Sequence, residues 1–109
     1  MAKTPRMTIP TQLVLRALLE DPTREMYGLE ICHIAGLAPG TIHPILARFE
    51  GIGWLESRFE DVDPREAGRP RRRYYRLASN GAEKARLALD NAQAKVPKMR
   101  RLGLAGGAA

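Results

Sequence analysis

The chain has 109 residues, and its 18 lysines and arginines outnumber its 12 acids to give a net charge of +6. That length suits one small domain rather than two, with a core that a second subunit often completes. The single cysteine, Cys32, excludes an internal disulfide and suits a reducing compartment.

Met1 to Met7 is short and polar, without the apolar core of a secretion signal. No stretch approaches the roughly 18 apolar residues of a membrane span. A cytoplasmic protein with no membrane partner is expected. The basic balance suits a polyanionic partner without establishing one.

Residues 1–8 read as a flexible basic arm. A helix is predicted from Pro10 to Glu20, with Thr8 near its start and proline tolerated in the first turn. Gln12, Arg16 and Glu20 form a narrow polar stripe, and Leu13, Val14, Leu15, Ala17, Leu18 and Leu19 fill the rest. So wide an apolar arc is buried on more than one side. The domain's own core covers one side; a partner subunit, through Leu15 and Leu19, is expected to cover the other.

Asp21-Pro22-Thr23 breaks the chain, and a second helix spans Tyr27 to Ala35, ended by Gly36. The short link Gly36-Leu37-Ala38 has the length of a helix-turn-helix corner. The third helix runs from about Pro39 to Ile52. Ile42, Ile45, Leu46, Phe49 and Ile52 repeat at helical spacing toward the core. At about 100° per residue the opposite face carries Gly40, His43, Pro44 and Ala47, with Thr41 and Arg48 on its flank. Small residues there let the backbone approach a groove, while Thr41, His43 and Arg48 supply hydrogen bonds to bases or phosphates. Pro44 costs little if Thr41 caps the helix; if the helix starts at Pro39, it removes one internal hydrogen bond.

Leu55 to Glu60 alternates as a half-buried strand. Asp61 to Gly68 is the hairpin loop, and Arg72 to Leu77 is the return strand. Arg69, Arg71, Arg72 and Arg73 lie at this hairpin with no acid between Gly68 and Leu77. Arginines at a hairpin tip can bracket phosphates or enter a minor groove. The bland alternative is a solvated basic face paired with Glu56, Glu60 and Glu66. A last helix, Ser79 to Val96, repeats Ala82, Ala85, Leu89, Ala92 and Val96 at three-four spacing, a seam for close helix packing assigned to dimerisation. Pro97 is expected to end it, and residues 98–109 read as a disordered tail.

A helix-turn-helix followed by a basic hairpin is the order of a winged helix-turn-helix: mainly α with a small β-hairpin and a C-terminal dimerisation helix. The winged domain is placed at 9–78 and the dimerisation helix at 79–97. No enzyme is expected, because no phosphate loop, nucleophile elbow or isolated carboxylate pair is present. His33 and His43 stand ten residues apart with no supporting ligand spacing, so no metal or other cofactor is expected. Trp54 reads as a core anchor and Cys32 as a buried thiol.

These motifs resemble the PadR family of bacterial transcriptional regulators. The resemblance rests on Tyr27-Gly28-Leu29-Glu30, on Gly40 to Leu46 with Arg48-Phe49-Glu50 and Gly53-Trp54-Leu55, and on Gly68 to Leu77. It covers about residues 8–90. It implies a homodimeric repressor whose third helix enters the major groove, whose wing contacts the backbone and whose C-terminal helix pairs with its partner's. Three departures stand out. His43 occupies the place of a tyrosine that commonly contacts DNA. Ala78-Ser79 replaces the usual Thr-Pro after the wing, although Ser79 retains capping ability. The C-terminal region has no room for a large effector domain, so a small-molecule effector, if one exists, is expected at the dimer interface.

The function expected is sequence-specific recognition of double-stranded DNA at an inverted repeat. The rivals are a winged-helix protein-interaction module and a ligand sensor with weak DNA binding.

Overall fold

The Thr8 hydroxyl accepts the Thr11 amide at 3.3 Å and so starts helix α1 (Ile9–Leu19). The structure, a computed structural model, describes residues 5–101, with side-chain surroundings through residue 94. After α1 come β1 (Met26–Tyr27), α2 (Gly28–Ala35), α3 (Pro39–Gly51), β2 (Leu55–Phe59), α4 (Pro64–Ala67), β3 (Arg73–Leu77) and α5 (Gly81–Arg101). The order is that of a winged helix: three helices, a hairpin and a closing helix.

The three strands form an antiparallel sheet in the order β1-β3-β2. Leu55 pairs with Leu77, Ser57 with Tyr75 and Phe59 with Arg73; the alternation expected along β2 holds for buried Leu55 and half-buried Ser57 but ends at Phe59, which is exposed beyond the core. Strand β1 has no counterpart in the sequence reading: Tyr27 pairs with Tyr74 and precedes α2 instead of opening that helix. Two residues are too few to show an alternating pattern. The Glu30 carboxylate accepts the Tyr27 amide at 3.1 Å and satisfies a donor at the start of α2. Gly36 ends that helix at φ 71°, a left-handed conformation that glycine adopts without steric cost.

The core gathers Val14, Leu15 and Leu18 of α1, Ile31 of α2, and Ile42, Leu46 and Phe49 of α3 beneath the sheet residues Leu55, Tyr75 and Leu77. Phe49 stacks on Trp54 with ring centroids 5.4 Å apart, which confirms Trp54 as an anchor. Helix α3 starts at Pro39 and takes Pro44 into its interior. Pro44 has no amide to give the Gly40 carbonyl, but both residues are exposed, where solvent or a ligand can satisfy that oxygen.

Four expectations need correction. Residues 5–8 do not extend as an arm: Pro5 is buried, Met7 packs on the core, and the Met7 carbonyl accepts the Gln12 side chain at 2.8 Å. The hairpin loop contains the short helix α4, capped by Asp63, whose carboxylate accepts the Arg65 amide at 2.9 Å. Helix α5 starts at Gly81 rather than Ser79 and runs through Pro97 to Arg101. A proline removes one hydrogen bond and bends a helix without necessarily ending it. Part of the alanine-rich seam is occupied within the chain: Ala85 and Leu89, with Ala88 beside them, are buried in the same core as α1. The tail from residue 102 lies outside the described residues.

Candidate nucleic-acid interface

Helix α3 is amphipathic in the sense a groove-reading helix requires. Ile42, Leu46 and Phe49 are wholly buried. Gly40, Thr41, His43, Pro44, Ala47 and Arg48 are all exposed on the outer side. His43 reaches back toward α2: a Cβ added to Gly28 would lie 3.2 Å from His43 Cε1. The imidazole therefore stands where the start of α2 meets the outer face of α3.

The wing follows from the β2–β3 hairpin. Its arginines divide into two kinds. The Arg69 guanidinium donates to both oxygens of Glu60. Arg73 donates to the two Glu50 oxygens at 2.9 and 3.0 Å and to Ser57 Oγ at 3.0 Å. Arg76 donates to Glu56 at 3.1 Å, and Arg58 donates to Glu25 at 2.7 and 2.9 Å. The side chains of Arg71 and Arg72 have no carboxylate partner among the described residues. Arg71 Nε donates to the Val62 carbonyl at 2.8 Å, and the Arg72 guanidinium lies 4.3 Å above the Tyr27 ring.

Pairing with Glu56 and Glu60 is thus real, but it neutralises only part of the cluster. Glu66 makes no ion pair among the described residues. Glu60 is the centre of the wing tip. Its carboxyl is held down to about 2 by the Arg69 hydrogen bond first and by the Arg72 backbone amide second. The Glu25 carboxyl is also lowered, chiefly by its bond from Arg58. Burial raises the Cys32 thiol, as an inert buried cysteine requires.

Between the start of α2 and the wing, with His43 of α3 at its edge, runs a groove of about 570 Å³ whose walls include Tyr27, Leu29, Phe59, Arg72 and Tyr75. The exposed helix face, the groove and the two arginines without acid partners make a basic surface of the kind that meets a phosphate backbone beside a major groove. Among the described residues no three His, Cys, Asp or Glu side chains converge to hold a metal. No described helix is long and apolar enough to cross a membrane.

The residues expected at a dimer contact fall differently. Leu15 and Ala85 are 0% exposed within one chain, and Leu89 is 8% exposed. Leu19 and Ala82 are half-buried against the core, Ala92 is half-buried, and Val96 lies beyond the described side chains. Four residues of the interface escape the sequence reading in that role: Tyr27, Glu50, Ser57 and Glu60. Only Glu60 carries a signal, an acid facing arginines across a hairpin. The Glu50–Arg73 pair spans 23 positions and leaves no local pattern.

No protein-family model and no curated protein sequence matches the chain. Solved structures do. A PadR family transcription regulator from hypervirulent Clostridium difficile R20291 superposes with a TM-score of 0.64 at 21% identity, over 87% of this chain and 98% of that one. Overoxidized AbfR bound to DNA superposes with a TM-score of 0.63 at 22% identity, over 88% of this chain and 65% of that one. A MarR family transcriptional regulator, SPO1453 from Silicibacter pomeroyi DSS-3, superposes at 0.55 with 16% identity, over 85% of this chain and 60% of that one. The chain therefore spans less than two thirds of the AbfR and MarR structures and nearly all of the PadR one. Likeness at these identities establishes the fold, a winged helix shared with transcription regulators.

Proposed function

We propose that the protein is a PadR-type transcriptional regulator that binds double-stranded DNA in a sequence-specific manner. One observation carries this: the exposed face of α3, from Gly40 to Arg48, stands beside a wing whose Arg71 and Arg72 lack acid partners among the described residues. Thr41, His43 and Arg48 are assigned to base edges and nearby phosphates, with Gly40, Pro44 and Ala47 permitting close approach. Arg71 and Arg72 are assigned to the backbone beside the groove. Arg69 and Arg73, committed to Glu60 and Glu50, contribute mainly to wing geometry.

The active species is proposed to be a homodimer on an inverted repeat, acting as a repressor; the likeness to PadR regulators supports this. Ile9 on α1 and Leu87 on α5, 67% and 61% exposed, leave apolar surface on the two helices for a second subunit. Selection from a random duplex library tests the proposal. Enrichment of a two-fold inverted repeat with half-sites about one helical turn apart is expected. Failure to enrich any sequence contradicts it.

A further inference from the structure

Glu50 is badly placed by two ordinary criteria. It is the penultimate residue of α3, where the helix dipole disfavours an acid. It also lies beside the surface proposed to meet a polyanion. Against both, it accepts Ser57 Oγ at 2.7 Å and the Arg73 guanidinium at 2.9 and 3.0 Å. Arg73 in turn donates to Ser57 Oγ at 3.0 Å, closing a three-membered ring of hydrogen bonds. Ser57 sits on β2 and Arg73 on β3, so one carboxylate on α3 ties down both wing strands. Among the described residues these are the only side-chain hydrogen bonds between α3 and the wing. The Arg73 and Glu50 side chains are 43% and 32% exposed, and ion pairs so exposed add little to stability. The ring therefore adds little to the stability of the fold, and its effect falls on where the wing is held. It also removes Arg73 from the cations free to meet phosphate.

We infer that Glu50 is a positioning residue: through Ser57 and Arg73 it fixes the angle between the wing and α3, and so the spacing between Thr41 or His43 and the wing arginines Arg71 and Arg72. This rests on the DNA-binding function proposed above. DNA offers its groove and its flanking phosphates at fixed separation, so a loosened wing loses register between base contacts and backbone contacts.

The consequence runs against simple electrostatics. Removing an acid from a DNA-facing surface raises affinity for any duplex. A positioning role reverses the sign for the recognised sequence. The test is fluorescence anisotropy of the full chain with the duplex that the wild type enriches most from a random library, beside a scrambled duplex. Glu50→Gln is expected to bind the enriched duplex about tenfold more weakly, the scale of one base-edge hydrogen-bond pair, while scrambled binding holds or rises. Ser57→Ala, which leaves every charge in place, is expected to shift the same ratio in the same direction. In an Arg73→Gln background, Glu50→Gln is expected to have little further effect on that ratio. Equal or tighter binding of Glu50→Gln to both duplexes overturns the inference, as does equal weakening on both. A wild-type chain that enriches no sequence overturns the DNA-binding function itself and the inference with it.

Discussion

Gly81 and Trp54 meet backbone to backbone: a Cβ on Gly81 would lie 3.0 Å from the Trp54 carbonyl carbon and overlap its oxygen. The same oxygen accepts the Ala78 amide at 2.9 Å, so it is pinned from two sides where α5 leaves the sheet. Gly81→Ala forces one of these backbones to move, and overpacking of this kind costs about 1–3 kcal/mol. Thermal unfolding followed by circular dichroism is expected to show a midpoint lower by about 4–8 °C per kcal/mol. An unchanged midpoint contradicts the close approach.

The two hairpin strands, the apolar face of α3 and the glycine ending α2 are legible in the sequence as local patterns of burial or backbone conformation, although the alternation of β2 fails at Phe59, which the core does not reach. The role of Gly81 is not, because its constraint comes from Trp54, a residue on the far side of the hairpin. The first half of the expected dimer seam reads two ways for a related reason. The three-four spacing of Ala82, Ala85 and Leu89 reports that α5 packs on another helix, and α1 of the same chain satisfies it. In the candidate interface the outer residues of α3 are legible from periodicity. The division of the arginines is not, because Glu50 reaches Arg73 across 23 positions.

That division predicts unequal effects in the wing. Arg71→Ala and Arg72→Ala are expected to weaken binding to specific and scrambled duplexes alike. Each should flatten the dependence of log affinity on log salt by about one unit for every phosphate left without its arginine in the dimer's site. Arg76→Ala, on the side of the wing held by Glu56, is expected to change the slope less. Equal slopes for all three variants contradict the assignment.

Thr41→Ala and His43→Ala are expected to act differently. Each should alter which sequences are enriched from a random library more than it alters affinity for a scrambled duplex. A well-formed hydrogen-bond pair to a base edge is worth about 1–3 kcal/mol of discrimination. Equal weakening on enriched and scrambled duplexes counts against base readout by these side chains.

The wing tip carries an acid-sensitive bond set. In the folded protein the Glu60 carboxyl lies at about 2, below its ordinary value of 4.5. A depressed folded value means that its stabilisation is complete above the ordinary value and fades as pH falls toward the folded one. The Arg72 amide resonance, whose proton Glu60 accepts, is expected to titrate with a midpoint near 2. A midpoint near 4.5 would show that the Arg69–Glu60 pair does not form in solution.

Dimer formation through the exposed rim of α1 and α5 has a direct check. Leu87→Glu places a charge on apolar surface that is 61% exposed in one chain, so folding should survive. Light scattering is expected to show a shift from dimer to monomer, with weaker binding to an inverted repeat. A wild type that is monomeric at micromolar concentration contradicts the dimer.

Whether α3 and the wing read DNA sequence is decided by fluorescence anisotropy of the wild-type chain. The enriched inverted-repeat duplex and a scrambled one are compared at several salt concentrations. A preference of about 10³-fold or more for the inverted repeat is expected, with affinity falling steeply as salt rises. Absence of binding to either duplex at low salt would rule out DNA as the partner.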